Sequence, residues 1–134
     1  MKPYLTKISV AYSDTDQMGI VHHSNYLKYY ETARWNLFKV IGIPYTTIEE
    51  NGFILPVINV TIEYIKSAFF EEELIIETSL LSSKGPKIYF GYRLFNSSGE
   101  LINKSNICVA FVDIKTRKAC SPPFFIKEKL ESVI

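Results

Sequence analysis

The sequence has little of what most often betrays a protein's chemistry. Its two cysteines, Cys108 and Cys120, lie in no close pair, which fits a reducing cytoplasm better than an oxidising compartment. Its two histidines, His22 and His23, are neighbours whose side chains diverge from one backbone, with no other His or Cys nearby, so no metal and no cofactor is expected. Charge is nearly balanced, with 15 Lys+Arg against 14 Asp+Glu and a net +1. That excludes the broad basic surface that nucleic acid requires, although a local basic patch can still hold one anionic ligand. No apolar run approaches the ~20 residues of a membrane span. The opening residues, polar and interrupted, do not resemble a secretion signal, and no tract is repeated or low in complexity.

What is present is enough for one domain over residues 1–134: hydrophobic residues make up 47% of the chain, sufficient for a sizeable core. Ile8, Val10 and Tyr12 alternate with small residues and predict a half-buried strand over Tyr4 to Tyr12. A turn-rich stretch follows, with Gly19 for unusual backbone angles and Ser24 as the expected helix N-cap. Tyr26, Tyr29, Tyr30, Ala33, Leu37, Val40 and Ile41 then fall on about a third of a helical wheel, widened by Leu27 and Phe38. So broad a stripe predicts a helix wrapped by something larger than another helix, ending at Gly42 and Pro44. Trp35 lies among polar residues on the opposite flank, either as a plain surface residue or as one covered by another subunit.

Four apolar runs, Phe53 to Ile65, Leu74 to Leu81, Ile88 to Phe95 and Leu101 to Ile114, read as strands with one buried face each. The breaks at 82–86 and 96–99 are short enough for hairpins, which makes the sheet largely antiparallel. A short helix is expected after Pro122–Pro123. The fold class is therefore α+β, a long central helix covered by one curved antiparallel sheet.

Chemistry has one place to occur. His22 and His23 sit within nine residues of Asp14 and Asp16, on the loop that opens the long helix. There a carboxylate can face unpaired N–H groups of the first helical turn, the minimum kit for hydrolysing an acyl group. Spacing alone leaves each aspartate as either a turn-former or a catalyst.

The run from Tyr12 to Trp35 resembles the signature of the 4-hydroxybenzoyl-CoA thioesterase-like acyl-CoA thioesterases, in the hotdog-fold superfamily. The matching residues are Tyr12, AspThrAsp at 14–16, Gly19, Val21, His23, Asn25, Tyr26, Tyr30, Glu31, Ala33 and Arg34, with an echo in GluTyr at 63–64, Ala68 and Leu74. The resemblance implies a helix wrapped by an antiparallel sheet, subunits joined sheet edge to sheet edge as a homodimer or homotetramer, and an acyl-CoA substrate. It further implies that Asp16 is the catalytic carboxylate and that the backbone N–H of His23 polarises the thioester carbonyl, with Gly19, Val21, Asn25 and Tyr26 around the substrate and Asp14 structural. His22, Ser67 and Phe69 depart from the commoner family residues, as does the apolar run Ile65 to Phe70.

Local positive charge for coenzyme A phosphates is expected at Lys84 and Lys87, which flank Gly85 in a hairpin, and more weakly at Arg117–Lys118. Glu31 and Arg34, three apart on the helix, are placed to pair with each other or with a neighbouring subunit. Two other readings compete. A hotdog dehydratase would need a histidine base matched to a helix carboxylate, a spacing that His23 and Glu31 do not show. A non-catalytic acyl-CoA or acyl-carrier binding module would have no use for Asp16 beside Gly19.

Overall fold

In the computed structural model, which describes residues 2–134, the long strands form one antiparallel sheet in the order β1-β4-β5-β6-β3. These are β1 (Tyr4–Ser9), β3 (Val57–Tyr64), β4 (Glu73–Lys84), β5 (Lys87–Phe95) and β6 (Leu101–Ala110), while β2 (Phe53–Ile54) and β7 (Val112–Asp113) make a small second ladder. Helix α1 (Asn25–Val40) packs on one face, and α2 (Tyr45–Glu50) and α3 (Phe124–Glu131) complete the chain. No helix among the described residues is long and apolar enough to cross a membrane.

The alternation expected of the central strands is what builds the core. Leu74, Ile76 and Leu80 of β4, Ile88, Phe90, Tyr92 and Leu94 of β5, and Ile107 and Val109 of β6 are all buried. Against them lie Tyr26, Tyr29, Tyr30, Ala33, Leu37 and Phe38 of α1. Each large buried side chain contributes roughly 1.5–3 kcal/mol of transfer free energy, so this helix–sheet contact dominates the stability. Ile126 and Leu130 bring α3, the expected terminal helix, onto the same core.

Four expectations need correction. The first strand ends at Ser9: Asp14 accepts a hydrogen bond from the Ala11 N–H at 3.1 Å, drawing Tyr12–Asp14 into a 3-10 turn that leaves Tyr12 76% exposed. The apolar run from Phe53 splits into β2 and β3 at Pro56, which has no N–H to give a ladder. β3 then lacks the buried face expected of it: Ile58 and Tyr64 are about half exposed, and only Val60 and Ile62 touch the core. Finally Pro44, read as a stop, also starts a helix, its carbonyl accepting from Thr47 and Ile48 to open α2.

Candidate active site

Asp14 organises the loop between β1 and α1. Its Oδ2 accepts from the Tyr29 hydroxyl at 2.9 Å as well as from Ala11, and Lys28 Nζ lies 3.8 Å from its Oδ1. Its main-chain carbonyl accepts from the His22 N–H at 2.9 Å and from Asn25 Nδ2 at 2.8 Å. Burial, reinforced by the Asp14 carboxylate, pushes the Tyr29 phenol well above its ordinary pKa, so it remains a donor. A buried carboxylate so fully engaged is a structural clamp.

Asp16 is placed differently. Its Oδ1 accepts from the Met18 N–H at 2.8 Å, and its backbone closes a tight turn through Asp16 N–H to Ile20 O at 2.9 Å and Gly19 N–H to Asp16 O at 3.0 Å. The turn needs Gly19 at φ +78°, a conformation that strains any L side chain. Its Oδ2 makes no hydrogen bond to a described residue. The turn is stitched down by the Val21 N–H to the Ala68 carbonyl at 2.9 Å.

A pocket of about 330 Å³ opens beside this turn, lined by Asp16, Met18, Ile20, Val21, His23, Tyr26, Tyr64, Ile65, Lys66 and Ser67. Asp16, Val21, His23 and Tyr26 of the expected residues thus share one cavity. The His23 backbone N–H has no hydrogen-bond partner among the described residues, while its carbonyl accepts from the Tyr64 hydroxyl at 3.3 Å. Contrary to the expected divergence of the two histidine side chains, the His23 ring packs on His22 at 4.2 Å, and it lies edge-on to Tyr64 at 6.4 Å. Tyr26 accepts from the Ala68 N–H at 3.2 Å, and burial raises its pKa. α1 begins at Asn25 with Ser24 at the N-cap position as expected, but the Ser24 hydroxyl makes no capping bond, being bonded to His22 Nδ1 at 2.8 Å.

The other expected residues lie off the pocket wall. Gly19 shapes the turn behind it, and Asn25 is spent on the Asp14 carbonyl. Lys84, Gly85 and Lys87 occupy the β4–β5 hairpin, where Lys87 lines a separate groove with Tyr89 and Asn106. Sequence reasoning passed over Lys66, the one cation on the pocket wall, held there in an ion pair with Glu100. The available signal was that Lys66 is the lone charge within the apolar stretch 65–70. Among the described residues no three His, Cys, Asp or Glu side chains are placed to hold a metal ion.

A helix wrapped by an antiparallel sheet defines a hotdog-fold protein, and this one carries an unengaged carboxylate oxygen and an unpaired N–H at the helix mouth. The chain belongs to the thioesterase-like superfamily, whose family model matches residues 10–130. It is 40% identical over 119 residues to "Putative acyl-CoA thioesterase YneP" of Bacillus subtilis, covering 84% of this chain and 86% of that protein. It is 31% identical to the acyl-CoA thioesterase YbgC of Haemophilus influenzae over 90% of this chain and 88% of the relative. Among solved structures it is similar to a DHNA-CoA thioesterase from Staphylococcus aureus, with a TM-score of 0.92 and 28% identity over 98% of this chain and 90% of the other.

Proposed function

We propose that this chain is an acyl-CoA thioesterase, hydrolysing an acyl-CoA to the free acid and coenzyme A. The observation that carries the reading is the shared pocket of Asp16 and the unpartnered His23 N–H. The thioester carbonyl oxygen sits on that N–H, which stabilises the negative charge developing as the carbonyl carbon becomes tetrahedral. Asp16 Oδ2 acts in one of two balanced ways: it attacks the carbon to give an acyl-enzyme anhydride that water then cleaves, or it takes a proton from the water that attacks. In both, the acyl–sulfur bond breaks and the thiolate leaves as coenzyme A. Lys66 on the pocket wall, and Lys84 and Lys87 on the hairpin, are the cations proposed to meet the anionic cofactor portion of the substrate, the hairpin pair from a second subunit of a homodimer or homotetramer.

The dehydratase alternative is disfavoured by position. Glu31 lies eight residues beyond His23 and lines grooves other than the pocket that holds His23, roughly 12 Å further along the chain direction at helical rise. The relatives' names span different acyl groups, so the test is a hydrolysis screen over short, long and aromatic acyl-CoAs, following release of free thiol. Activity on at least one class that disappears in a folded Asp16→Asn variant is the expected result. A single turnover in H₂¹⁸O tests the anhydride route, because label on Asp16 arises only when water cleaves an anhydride at the aspartyl carbonyl.

A further inference from the structure

The donor proposed to meet the thioester carbonyl belongs to the peptide between His22 and His23. A peptide group is planar and trans, so its N–H and its C=O point in opposite directions. Whatever holds the carbonyl of His22 therefore aims the N–H of His23. That carbonyl accepts from the Asn25 main-chain N–H at 2.9 Å, closing a turn over residues 22–25. The bond also polarises the peptide and makes its N–H a better donor.

A turn closed by one bond can still roll as a body on its flanking chain. This one is fixed, because both of its ends reach the same oxygen. The Asp14 carbonyl accepts from the His22 N–H at 2.9 Å, where the turn starts, and from Asn25 Nδ2 at 2.8 Å, where it finishes. Asp14 is buried and holds the Ala11 N–H and the Tyr29 hydroxyl, so the tie is anchored at a rigid point. Asn25 thus closes the turn with its main chain and fastens it with its side chain. Ser24 offers no substitute, since its hydroxyl and its N–H are both turned to His22 Nδ1, at 2.8 and 3.3 Å. The Tyr64 hydroxyl reaches only the next carbonyl, that of His23, at a longer 3.3 Å. With its Nδ2 spent on Asp14, Asn25 does not line the pocket that holds Asp16 and His23.

We propose that Asn25 is the positioning residue of the oxyanion donor: its side-chain amide, bonded to the Asp14 carbonyl, sets the angle at which the His23 N–H meets the substrate. The proposal rests on the thioesterase reading and adds to it a residue that acts on the transition state. A ground-state thioester carbonyl carries little charge and loses little when the donor is misaimed, whereas the developing oxyanion loses much, so the effect falls on kcat.

Asn25→Ala and Asn25→Asp test it, with benzoyl-, hexanoyl- and palmitoyl-CoA as substrates and the one that wild type cleaves fastest as the reference. The aspartate keeps the shape, lacks the donor at neutral pH, and places a negative charge at the helix N-terminus, where it favours the helix. Both variants should lose about 10- to 100-fold in kcat, at or below the cost of removing an oxyanion donor outright, with KM held within about twofold. The acid limb of the pH–rate profile, which follows the Asp16 carboxylate, should stay in place in Asn25→Ala. The melting temperature of Asn25→Asp should hold while its kcat falls, a split that a purely structural role does not produce. A kcat within about twofold of wild type in either folded variant overturns the proposal. So does a KM that rises in step with the loss, or failure of both variants to fold, since each makes Asn25 a structural residue alone. Wild type inert on all three substrates sinks the thioesterase reading and this proposal with it, whereas an active wild type with unimpaired Asn25 variants sinks only the role of Asn25.

Discussion

Asp14 and Asp16 are the same residue type two positions apart, and packing gives them opposite work. Asp14 holds Ala11, Tyr29 and Lys28 with its carboxylate, whereas Asp16 keeps an oxygen free at the pocket. Asp16→Asn should therefore fold normally and lose at least ~100-fold in kcat, the scale of a lost acid–base group, checked by steady-state hydrolysis and circular dichroism. Asp14→Ala strands the Tyr29 hydroxyl in the interior, and should cost roughly 2–3 kcal/mol in urea unfolding. At His23 the proposed contribution is the main-chain N–H, so His23→Phe should keep turnover within about tenfold across the pH–rate profile, far less than the Asp16 loss. Sequence spacing alone does not divide the two aspartates: three residues that converge on Asp14 are local, but the pocket beside Asp16 is walled by Tyr64 to Ser67, some fifty residues on. For Arg34 the helix spacing offered a pairing with Glu31 or with a neighbouring subunit but not its burial, because nothing in a helical wheel shows that Tyr92 and Phe90 rise to meet it.

At the scale of elements, periodicity is read well wherever one face is buried and poorly wherever a strand ends the sheet. Ile88, Phe90, Tyr92 and Leu94 alternate and are all buried, whereas Ile58 and Tyr64 alternate equally well and are not, since β3 has a neighbour on one side only. Pro44 misleads for a related reason: the missing N–H that ends one helix is harmless in the first turn of the next. The same boundary problem hid Lys66, just beyond the end of β3. Lys66→Ala should raise KM for acyl-CoA several-fold with kcat held, and flatten the salt dependence of kcat/KM. Lys84→Ala/Lys87→Ala should do likewise if the hairpin meets the substrate from a second subunit, and an unchanged KM in that double variant would return the hairpin to plain solvated turn.

For the whole molecule, the tyrosine-rich helix–sheet contact sets an alkaline limit. Burial is the leading cause that raises Tyr26, Tyr29, Tyr30 and Tyr92, the last to about 12 from an ordinary 10.0. Above pH 10 the unfolded phenols ionise while the folded ones keep their protons, so the unfolded state binds fewer protons and stability falls as pH rises. Thermal melts followed by circular dichroism should hold level to about pH 9 and drop progressively beyond 10, with the share of tyrosinate absorbance at 295 nm that belongs to these four buried phenols appearing only as the structure is lost.

Time, as well as stability, is written into the sheet. Tyr4 pairs with Thr78, and the turn that carries Asp16 is stitched to Ala68 and, through Ile20, to Phe69. The first strand made thus has to wait for the fourth, a loop closure across some seventy residues that puts the chain among the slower, non-local folders, in the millisecond-to-second range. A chain still growing on the ribosome has the whole segment proposed for catalysis in hand, Tyr12 to Trp35, long before it has anything to fasten it to. Its helix can form early, but its carboxylate cannot be held at the pocket until β4 has emerged and paired. Acquisition of activity during refolding should therefore coincide with completion of the β1–β4 ladder, and a nascent chain stopped short of β4 should be inert however well its helix is formed.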